Sequence, residues 1–207
     1  MWKILAKGAL ILHNMAYRAS SILAIKAEGG LHPKHRLINY HQFFLDNIEK
    51  GSVVLDIGCS SGNLAFDLAK KASRVVGIDL NKNYLNKAKK NKQAQNIDYI
   101  LGDATTYEFK EKFDFIVLSN VLEHIEKRKE FLEKIKSLAN KFLIRVPILD
   151  RDWITLYKKE MGVEYRLDRG HFVEYTKDSF EKEMRDAGLK IEKFSINFGE
   201  ILCVILV

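Results

Sequence analysis

The segment 53–62, VVLDIGCSSG, constrains the fold more than any other part of the chain. Its apolar run, interrupted only by Asp56, predicts a buried strand, and the glycines at 58 and 62 predict a tight turn after it. The next residues, NLAFDLAKKA, have the spacing of a helix with one apolar face. A strand, a glycine turn and a helix in this order let a backbone with unpaired N–H groups approach a ligand closely.

The chain after Gly51 alternates between strand and helix patterns. Predicted strands cover 53–57, 74–79, 97–101, 113–118, 141–146, 189–196 and 200–207, and predicted helices cover 62–72, 82–92, 126–139 and 177–187. This alternation predicts an α/β fold with a doubly wound, mostly parallel sheet of seven strands. Because the turn at 197–199 is too short for a parallel crossover, the last strand is predicted to be antiparallel.

Length and composition suit one domain with a substantial core, since the chain has 207 residues, 47% of them hydrophobic. Residues 51–207 are predicted to form this domain, and residues 1–50 an N-terminal helical extension. Within the extension, Pro33 predicts the start of a single helix that Gly51 ends. Residues 148–175 interrupt the alternation for nearly 30 positions, so we expect a lid or insert over the strand ends.

The first helix of the extension is predicted to be amphipathic. Its polar stripe contains Lys3, Lys7, Asn14, Arg18 and Ser21, and its apolar face contains Ile4, Leu5, Ile11, Leu12, Met15, Ile22 and Leu23. The charge-free run 8–17 is far shorter than the ~20 residues that span a bilayer, and no secretory cleavage site follows it convincingly. Docking on the domain is the favoured interpretation. Peripheral contact of residues 1–28 with a membrane or a lipid-like substrate, or a partner interface, are the alternatives.

Charge and cysteine usage bear on the partners and the compartment. Residues 1–50 carry seven Lys/Arg and three Asp/Glu, which is +4 of the total net charge of +7. This basic start favours an anionic surface or substrate nearby. Cys59 and Cys203 are interpreted as reduced thiols of a cytoplasmic protein, which would be membrane-associated if the first helix binds lipid.

With these features assembled, the chain resembles the class I, Rossmann-like S-adenosylmethionine-dependent methyltransferases, in particular the small-molecule (type-11-like) group, over roughly residues 38–207. The segment Asp56-Ile57-Gly58-Cys59-Ser60-Ser61-Gly62 resembles the family's D-x-G-x-G-x-G signature. Acids follow the second and third strands at the family's positions, and FDFIVLSNVLEHI resembles its fourth-strand region. The resemblance implies that S-adenosylmethionine is bound by Asp56, Gly58, Cys59, Ser60, Gly62, Asp79, Leu80, Asp103, Ala104 and Asn120.

Two of these positions have a physical interpretation beside the resemblance. Asp79 can accept hydrogen bonds from the two vicinal hydroxyls of a ribose, as the acid at the end of the second strand does in dinucleotide folds. Its alternative role is that of a surface acid at a strand end, and Asp103 can equally be a turn former. Ser60 replaces the middle glycine of the signature, so it carries strain if its φ is positive.

His124 and His171 are the candidates for the acceptor side. Methyl transfer needs little acid–base chemistry, but a hydroxyl acceptor adds a need for a base, so two histidines slightly favour O-methylation. Structural roles for both are the alternative. A divalent metal held by Glu123, His124 and His171 is also considered, because some methyltransferases of this class use a Glu-x-x-Glu-His cluster. With Asn120 in its first position the set is incomplete, and we predict no metal.

The acceptor is predicted to be a small molecule or a lipid- or sugar-linked intermediate. An RNA methyltransferase is the second hypothesis, supported by an isoelectric point near 9.2. It is disfavoured because strand four ends in Ser119-Asn120-Val121-Leu122 and no RNA-binding module is visible, so nucleic acid is an unlikely partner. An NAD-dependent oxidoreductase is disfavoured because the turn lacks G-x-G-x-x-G spacing. A non-catalytic cofactor-binding protein remains open.

Overall fold

The computed structural model describes residues 1–207 and contains one seven-stranded sheet in the order β3-β2-β1-β4-β5-β7-β6. Its strands are β1 (Val53–Ile57), β2 (Arg74–Asp79), β3 (Ile97–Leu101), β4 (Phe113–Ser119), β5 (Ala139–Pro147), β6 (Lys190–Asn197) and β7 (Glu200–Leu206). The first five are mutually parallel, and β7 is antiparallel to both β5 and β6. The predicted fold class is therefore confirmed.

Eight α-helices surround the sheet. They are α1 (Trp2–Ala27), α2 (Lys34–Ile38), α3 (Tyr40–Asn47), α4 (Asn63–Leu68), α5 (Lys82–Asn91), α6 (Arg128–Ile135), α7 (Trp153–Glu160) and α8 (Lys177–Asp186). None of them combines the length and the apolar character needed to cross a bilayer.

The hydrophobic core lies in two layers, one on each face of the sheet. The larger layer, 24 buried residues, includes side chains of α6 and α8, and the smaller one, 13 residues, includes side chains of α3 and α4. The strands β1, β4 and β5 contribute to both layers, which explains their nearly continuous apolar sequences. Their carboxyl ends therefore sit in a rigid frame, and parallel order brings them to one edge of the sheet.

The predicted helix over residues 33–50 is wrong in two respects, because Asn39 divides it into α2 and α3, and α3 ends at Asn47. Asn39 has φ of 48°, and asparagine tolerates this left-handed conformation better than most residues. Two other predicted helices are shorter than expected. The helix predicted over 62–72 ends at Leu68, and the one over 126–139 is α6 followed by a 3₁₀ turn before β5 begins at Ala139.

The tight turn before β7 has the expected length, but its backbone conformation was not expected. Phe198 and Gly199 both have positive φ, 48° and 75°, which is the pattern of a type I′ hairpin turn. This turn geometry matches the twist of the antiparallel pair β6–β7, so the reversed strand follows directly from it.

Residues 148–175 contain more regular structure than the sequence indicates. They begin with a 3₁₀ turn, continue through α7, and end at Tyr175, which forms a parallel bridge with Ile148. The bridge thus holds the two ends of the segment together, and the residues between them form a closed loop that leaves the sheet and returns to it. Its role as a lid, and the domain boundary at residue 50, stay predictions.

Candidate functional site

The turn after β1 is held against the end of β2 by its own backbone. The N–H groups of Gly58 and Cys59 both donate to the carbonyl of Ile78, at 2.8 and 3.2 Å. The next N–H, that of Ser60, donates to Oδ2 of Asp79 at 2.8 Å. Three successive donors are therefore directed at one strand end, and the loop has a defined position beside Asp79.

Glycine is required at both ends of this turn. Gly58 and Gly62 have φ of 71° and 77°. A Cβ at Gly58 would lie 2.8 Å from a methyl of Val121, and one at Gly62 would collide with the Tyr99 hydroxyl. The two glycines thus let the loop pack against neighbouring elements of the protein.

Ser60, between the glycines, has φ of 50°, so the position does need the left-handed conformation. A serine there carries backbone strain of about 1 kcal/mol or more. The side chain of its neighbour Cys59 is buried and packs toward Gly77 of β2. Burial raises the pKa of this thiol well above its usual range. Cys59 therefore offers a ligand only its backbone, and it is inert as a nucleophile.

Asp79 is half-buried and already accepts two backbone hydrogen bonds. Its Oδ2 accepts from Ser60, and its Oδ1 accepts from the N–H of Asn81 at 2.7 Å. Each carboxylate oxygen retains a further acceptor position. A carboxylate fixed in this way can accept from two adjacent hydroxyls of a sugar without first losing side-chain entropy.

Asp56 and Asn120 supply buried acceptors with no partner. Oδ2 of Asp56 and Oδ1 of Asn120 are both buried and make no hydrogen bond. Asn120 has φ of 57° and donates its N–H to the carbonyl of Arg145 at 2.8 Å. Burial and then the charge of Asp79 raise the pKa of Asp56 to about 8. Native proteins leave few such groups unsatisfied, so these acceptors indicate a ligand that brings donors or positive charge.

The other predicted cofactor residues lie farther along the same edge. Asp103 is exposed, and its Oδ1 accepts from both the N–H and the hydroxyl of Thr105, at 2.9 and 2.7 Å. It is therefore a turn former in geometry, with Oδ2 still free. Ala104 is half-buried beside it, and Leu80 exposes 74% of its surface directly after Asp79. Cofactor contacts of these three residues stay predictions.

The two predicted histidines come together although 47 positions separate them in the sequence. The rings of His124 and His171 meet edge to face with centroids 4.5 Å apart. The N–H of Phe172 donates to the carbonyl of Glu123 at 2.7 Å and ties the segment 148–175 to the turn after β4. Burial, and then the proximity of His171, lowers the pKa of His124, so this ring is neutral near pH 7.

Glu174 is a functional candidate to which sequence reasoning assigned no role. Its Oε1 lies 2.8 Å from Nδ1 of buried His171 and also accepts the N–H of Leu167 at 2.8 Å. Its Oε2 accepts from Arg151 at 3.0 Å. Because a carboxylate held by Arg151 only accepts, Nδ1 of His171 is assigned as the donor, which leaves Nε2 as the basic nitrogen. The His-x-x-Glu spacing was the available signal.

Glu123 is fully buried, and neither of its carboxylate oxygens has a partner. Burial raises its pKa to about 8. A ligand atom from each of Glu123, His124 and His171 lies within 4.8 Å of the other two, so the three side chains are close enough to share a cation. The absence of a metal stays a prediction.

The N-terminal extension also reaches this edge, which sequence reasoning missed. The Tyr40 ring lies 3.6 Å from the guanidinium carbon of Arg145, and its hydroxyl is 2.6 Å from Nδ1 of His35. Arg145 forms a buried two-point ion pair with Glu200, with Nη2 to Oε1 at 2.6 Å. Lys34 lies in the field of Arg145, Glu200 and Glu123, and burial is the first cause of its lowered pKa. No local pattern links these distant positions.

The hydrogen-bond acceptors at this edge of the sheet fit S-adenosylmethionine. This ligand carries a ribose diol, an ammonium group and a sulfonium, which require acceptors and negative charge. Asp79 offers acceptors suited to the diol, the orphaned oxygen of Asn120 suits the cationic end, and Asp56 suits it once its carboxyl group has lost its proton. A phosphate-bearing cofactor would instead require free donors, and the N–H of Ser60 is already occupied by Asp79.

A family model described as a methyltransferase domain matches residues 31–193. Among similar proteins, the ubiquinone biosynthesis O-methyltransferase of Rhodopseudomonas palustris (strain BisB5) is 29% identical over 156 residues, 70% of this chain and 61% of that protein. The (S)-coclaurine N-methyltransferase of Thalictrum flavum subsp. glaucum is 29% identical over 129 residues, 53% of this chain and 36% of that protein. The chain thus spans less than two thirds of either relative.

Among solved structures, the magnesium protoporphyrin IX methyltransferase of Synechocystis PCC 6803 with bound SAH is similar with a TM-score of 0.63 and 20% identity. The similarity covers 80% of this chain and 78% of that one. It agrees with the sheet order and the reversed β7 described above. The chain therefore belongs to the methyltransferase domain family and has the fold of the class I, Rossmann-like S-adenosylmethionine-dependent methyltransferases.

Proposed function

We propose that this protein transfers the methyl group of S-adenosylmethionine to a hydroxyl group of a small molecule, free or linked to a lipid or sugar. The observation that carries the proposal is the hydrogen bond between His171 and Glu174 in a buried position next to His124. A hydroxyl is a weak nucleophile until it loses its proton, and this pair has the arrangement of a general base with its orienting group.

The cofactor supplies an already activated methyl group on its sulfonium. The protein has to hold the cofactor, align the acceptor oxygen with the methyl carbon and exclude water. Asp79 and the turn 58–62 would hold the nucleoside, and Asp56 and Asn120 would face the amino-acid end. Residues 148–175, pinned at both ends, would cover the acceptor and carry His171 to it.

Proton removal is assigned to Nε2 of His171. Glu174 accepts from Nδ1 and so favours the tautomer in which Nε2 is basic. It also stabilises the imidazolium that forms when the acceptor hydroxyl gives up its proton. His124, neutral and in edge contact with His171, would help to position the acceptor.

A second candidate function is methylation of an amine, and the observation that favours it is Glu123. Once ionised, this buried carboxyl group without partners can accept the proton that an amine must lose before its nitrogen attacks the methyl carbon. One relative named above is an N-methyltransferase and another is an O-methyltransferase, so the relatives support both acceptor classes.

A transfer assay with tritiated S-adenosylmethionine tests the proposal. The acceptors are a phenol, a sugar, a polyisoprenyl alcohol, an aliphatic amine and total RNA, each hydroxyl acceptor being paired with its methyl ether as a blank. We expect label in one hydroxyl acceptor and none in its ether, with the same rate in the presence of EDTA. Label in the amine would favour the second candidate. Label in RNA alone, or transfer that requires added Mg²⁺, would contradict the proposal.

A further inference from the structure

Helix α1 docks on the domain with the side that amphipathic helices normally expose. Of its 26 residues only Leu10 is buried. Asn14 donates to the carbonyl of Glu164 at 2.7 Å, and His13 lies 3.0 Å from the Lys158 ammonium. Ala6, Ser21, Ala24 and Ile25 are half-buried, so small apolar and polar side chains together form the contact with the domain. The helix thus docks on the domain, as favoured, and its predicted apolar face takes little part in the contact.

The apolar face of α1 is left open. Ile4, Leu12 and Leu23 expose 76%, 65% and 64% of their surfaces. At about 100° per residue, these side chains and their apolar neighbours lie within an arc of roughly 120°. The face extends along most of a helix about 39 Å long, at about 1.5 Å per residue. An open apolar surface of this extent on a soluble fold marks an interaction site.

The charges around the open apolar face of α1 indicate what binds to it. Residues 1–27 contain Lys3, Lys7, Arg18 and Lys26 and no acidic residue. A cavity of about 270 Å³ between α1 and residues 162–169 is lined by Lys7, Arg18 and Arg169, with Ile11 and Met15 at its apolar side. Glu164, the one acid in its lining, is already paired with Arg166 at 2.9 Å. Lys7, Arg18 and Arg169 thus border one side of the apolar face, where the phosphates of a lipid layer would lie.

We propose that α1 lies flat on an anionic lipid surface, with its apolar face among the acyl chains and its cations at the phosphates. A helix with this distribution of side chains is typical of interfacial membrane binding. A second copy of the chain is a poorer occupant, because pairing two α1 helices would bring together eight like charges and no acid (twice the four cations of one helix). The proposal requires no cofactor or acceptor, so it stands or falls independently of the methyl-transfer function.

Vesicle co-sedimentation of the full chain tests the proposal. The two vesicle types are phosphatidylcholine alone and phosphatidylcholine mixed with an equal amount of phosphatidylglycerol. We expect at least about tenfold stronger partitioning onto the anionic vesicles, since each Lys or Arg near such a surface contributes about 1 kcal/mol. High salt should reduce the difference. Equal partitioning onto both vesicle types, or none onto either, would overturn the proposal.

Paired variants distinguish lipid binding through the apolar face of α1 from nonspecific binding through exposed apolar side chains elsewhere. The double variant L12E/L23E should lose binding by at least about tenfold, because two apolar side chains no longer enter the acyl region. I196E places one such glutamate on edge strand β6, where Ile196 is 50% exposed, and should bind like the wild type. All these side chains are solvent-exposed, so circular dichroism should show unchanged folding. Equal binding of L12E/L23E and I196E would contradict the role of α1.

Sedimentation velocity without lipid addresses the competing occupant. We expect the wild type and L12E/L23E to have the same sedimentation coefficient. If the wild type is a dimer that this double variant converts to a monomer, the open face is a self-association surface and the proposal is wrong.

Discussion

The two halves of the sheet edge, to which we assign the cofactor and the acceptor, are built differently. The cofactor half, at the ends of β1, β2 and β3, consists of short consecutive segments fixed by backbone hydrogen bonds, such as those from Gly58 and Cys59 to Ile78. The acceptor half, beyond β4 and β5, is assembled from side chains far apart in the sequence. His171 and Glu174 come from the segment 148–175, Glu123 from the turn after β4, and Lys34 from the N-terminal extension.

Asp79 and Glu123, one acid from each half, also differ in their hydrogen bonding. Asp79 has both carboxylate oxygens engaged before any ligand binds. Glu123 has neither engaged. Asp79 can therefore meet a ligand in a fixed orientation, whereas Glu123, like Asp56 at the end of β1, depends on what the ligand or a proton supplies.

The largest expected effect is at His171. In H171Q the turnover number should fall about 10²–10⁴-fold, because the general base is lost, while the Kd for S-adenosylmethionine stays within about twofold. Single-turnover transfer and calorimetry measure the two quantities. An equal loss of turnover and cofactor affinity would indicate that His171 belongs to the cofactor half. The proposed separation of cofactor and acceptor residues would then be wrong.

The next largest effect is at Asp79. In D79A the affinity for S-adenosylmethionine should fall by about 1–3 kcal/mol, the scale of a lost charged hydrogen bond. D98A is the matched control, because Asp98 of β3 pairs with Arg74 in an exposed ion pair. Calorimetry should show wild-type affinity for D98A. Wild-type affinity in D79A as well would exclude the acid from the cofactor half.

Asp56 predicts a pH dependence of stability. Its pKa is raised to about 8 in the folded protein by burial and by Asp79, so the folded state holds a proton that the unfolded state releases above about pH 4. This contribution to stability is complete below about pH 4 and is lost as the pH rises toward 8. Between about pH 4 and 8 the free energy of unfolding should fall less steeply with pH in D56N than in the wild type. The difference between the two slopes should be up to about 1.4 kcal/mol per pH unit. Denaturant titrations at several pH values measure it, and parallel curves for both proteins would contradict it.

The smallest expected effect is at Ser60. Glycine adopts its φ of 50° without strain, so S60G should raise the free energy of unfolding by about 0.5–1 kcal/mol. S60A keeps the strain and lacks the hydroxyl, so it separates the two properties. Calorimetry should show equal cofactor affinity for S60G and the wild type. A loss of affinity in both variants would instead assign the hydroxyl a contact with the cofactor.

Much of the cofactor half could be predicted because its determinants are local. A parallel sheet brings every carboxyl end to one edge, so an acid at the end of β2 and a glycine turn after β1 must become neighbours. The boundaries of helices were less predictable. Asn39 interrupts a helical pattern through a conformation that side-chain periodicity does not reveal.

The acceptor half and α1 show where prediction stops. His124 and His171 could be named as candidates, but the Glu174 partner, the orphaned Glu123 and the approach of Lys34 and Tyr40 could not be derived from any spacing. These contacts depend on how the N-terminal extension and the segment 148–175 fold back over the edge of the sheet. Amphipathicity predicted the helix α1, yet its pattern does not say which side faces the protein.

By itself, the sequence determined the α/β class, the reversed final strand and the glycine turn after β1, because periodicity, glycines and short loops act within a few residues. Only the tertiary structure decided which distant side chains share a buried site and which face of α1 remains open. Those outcomes depend on packing between segments, where burial, orphaned charges and steric fit are properties of the whole fold.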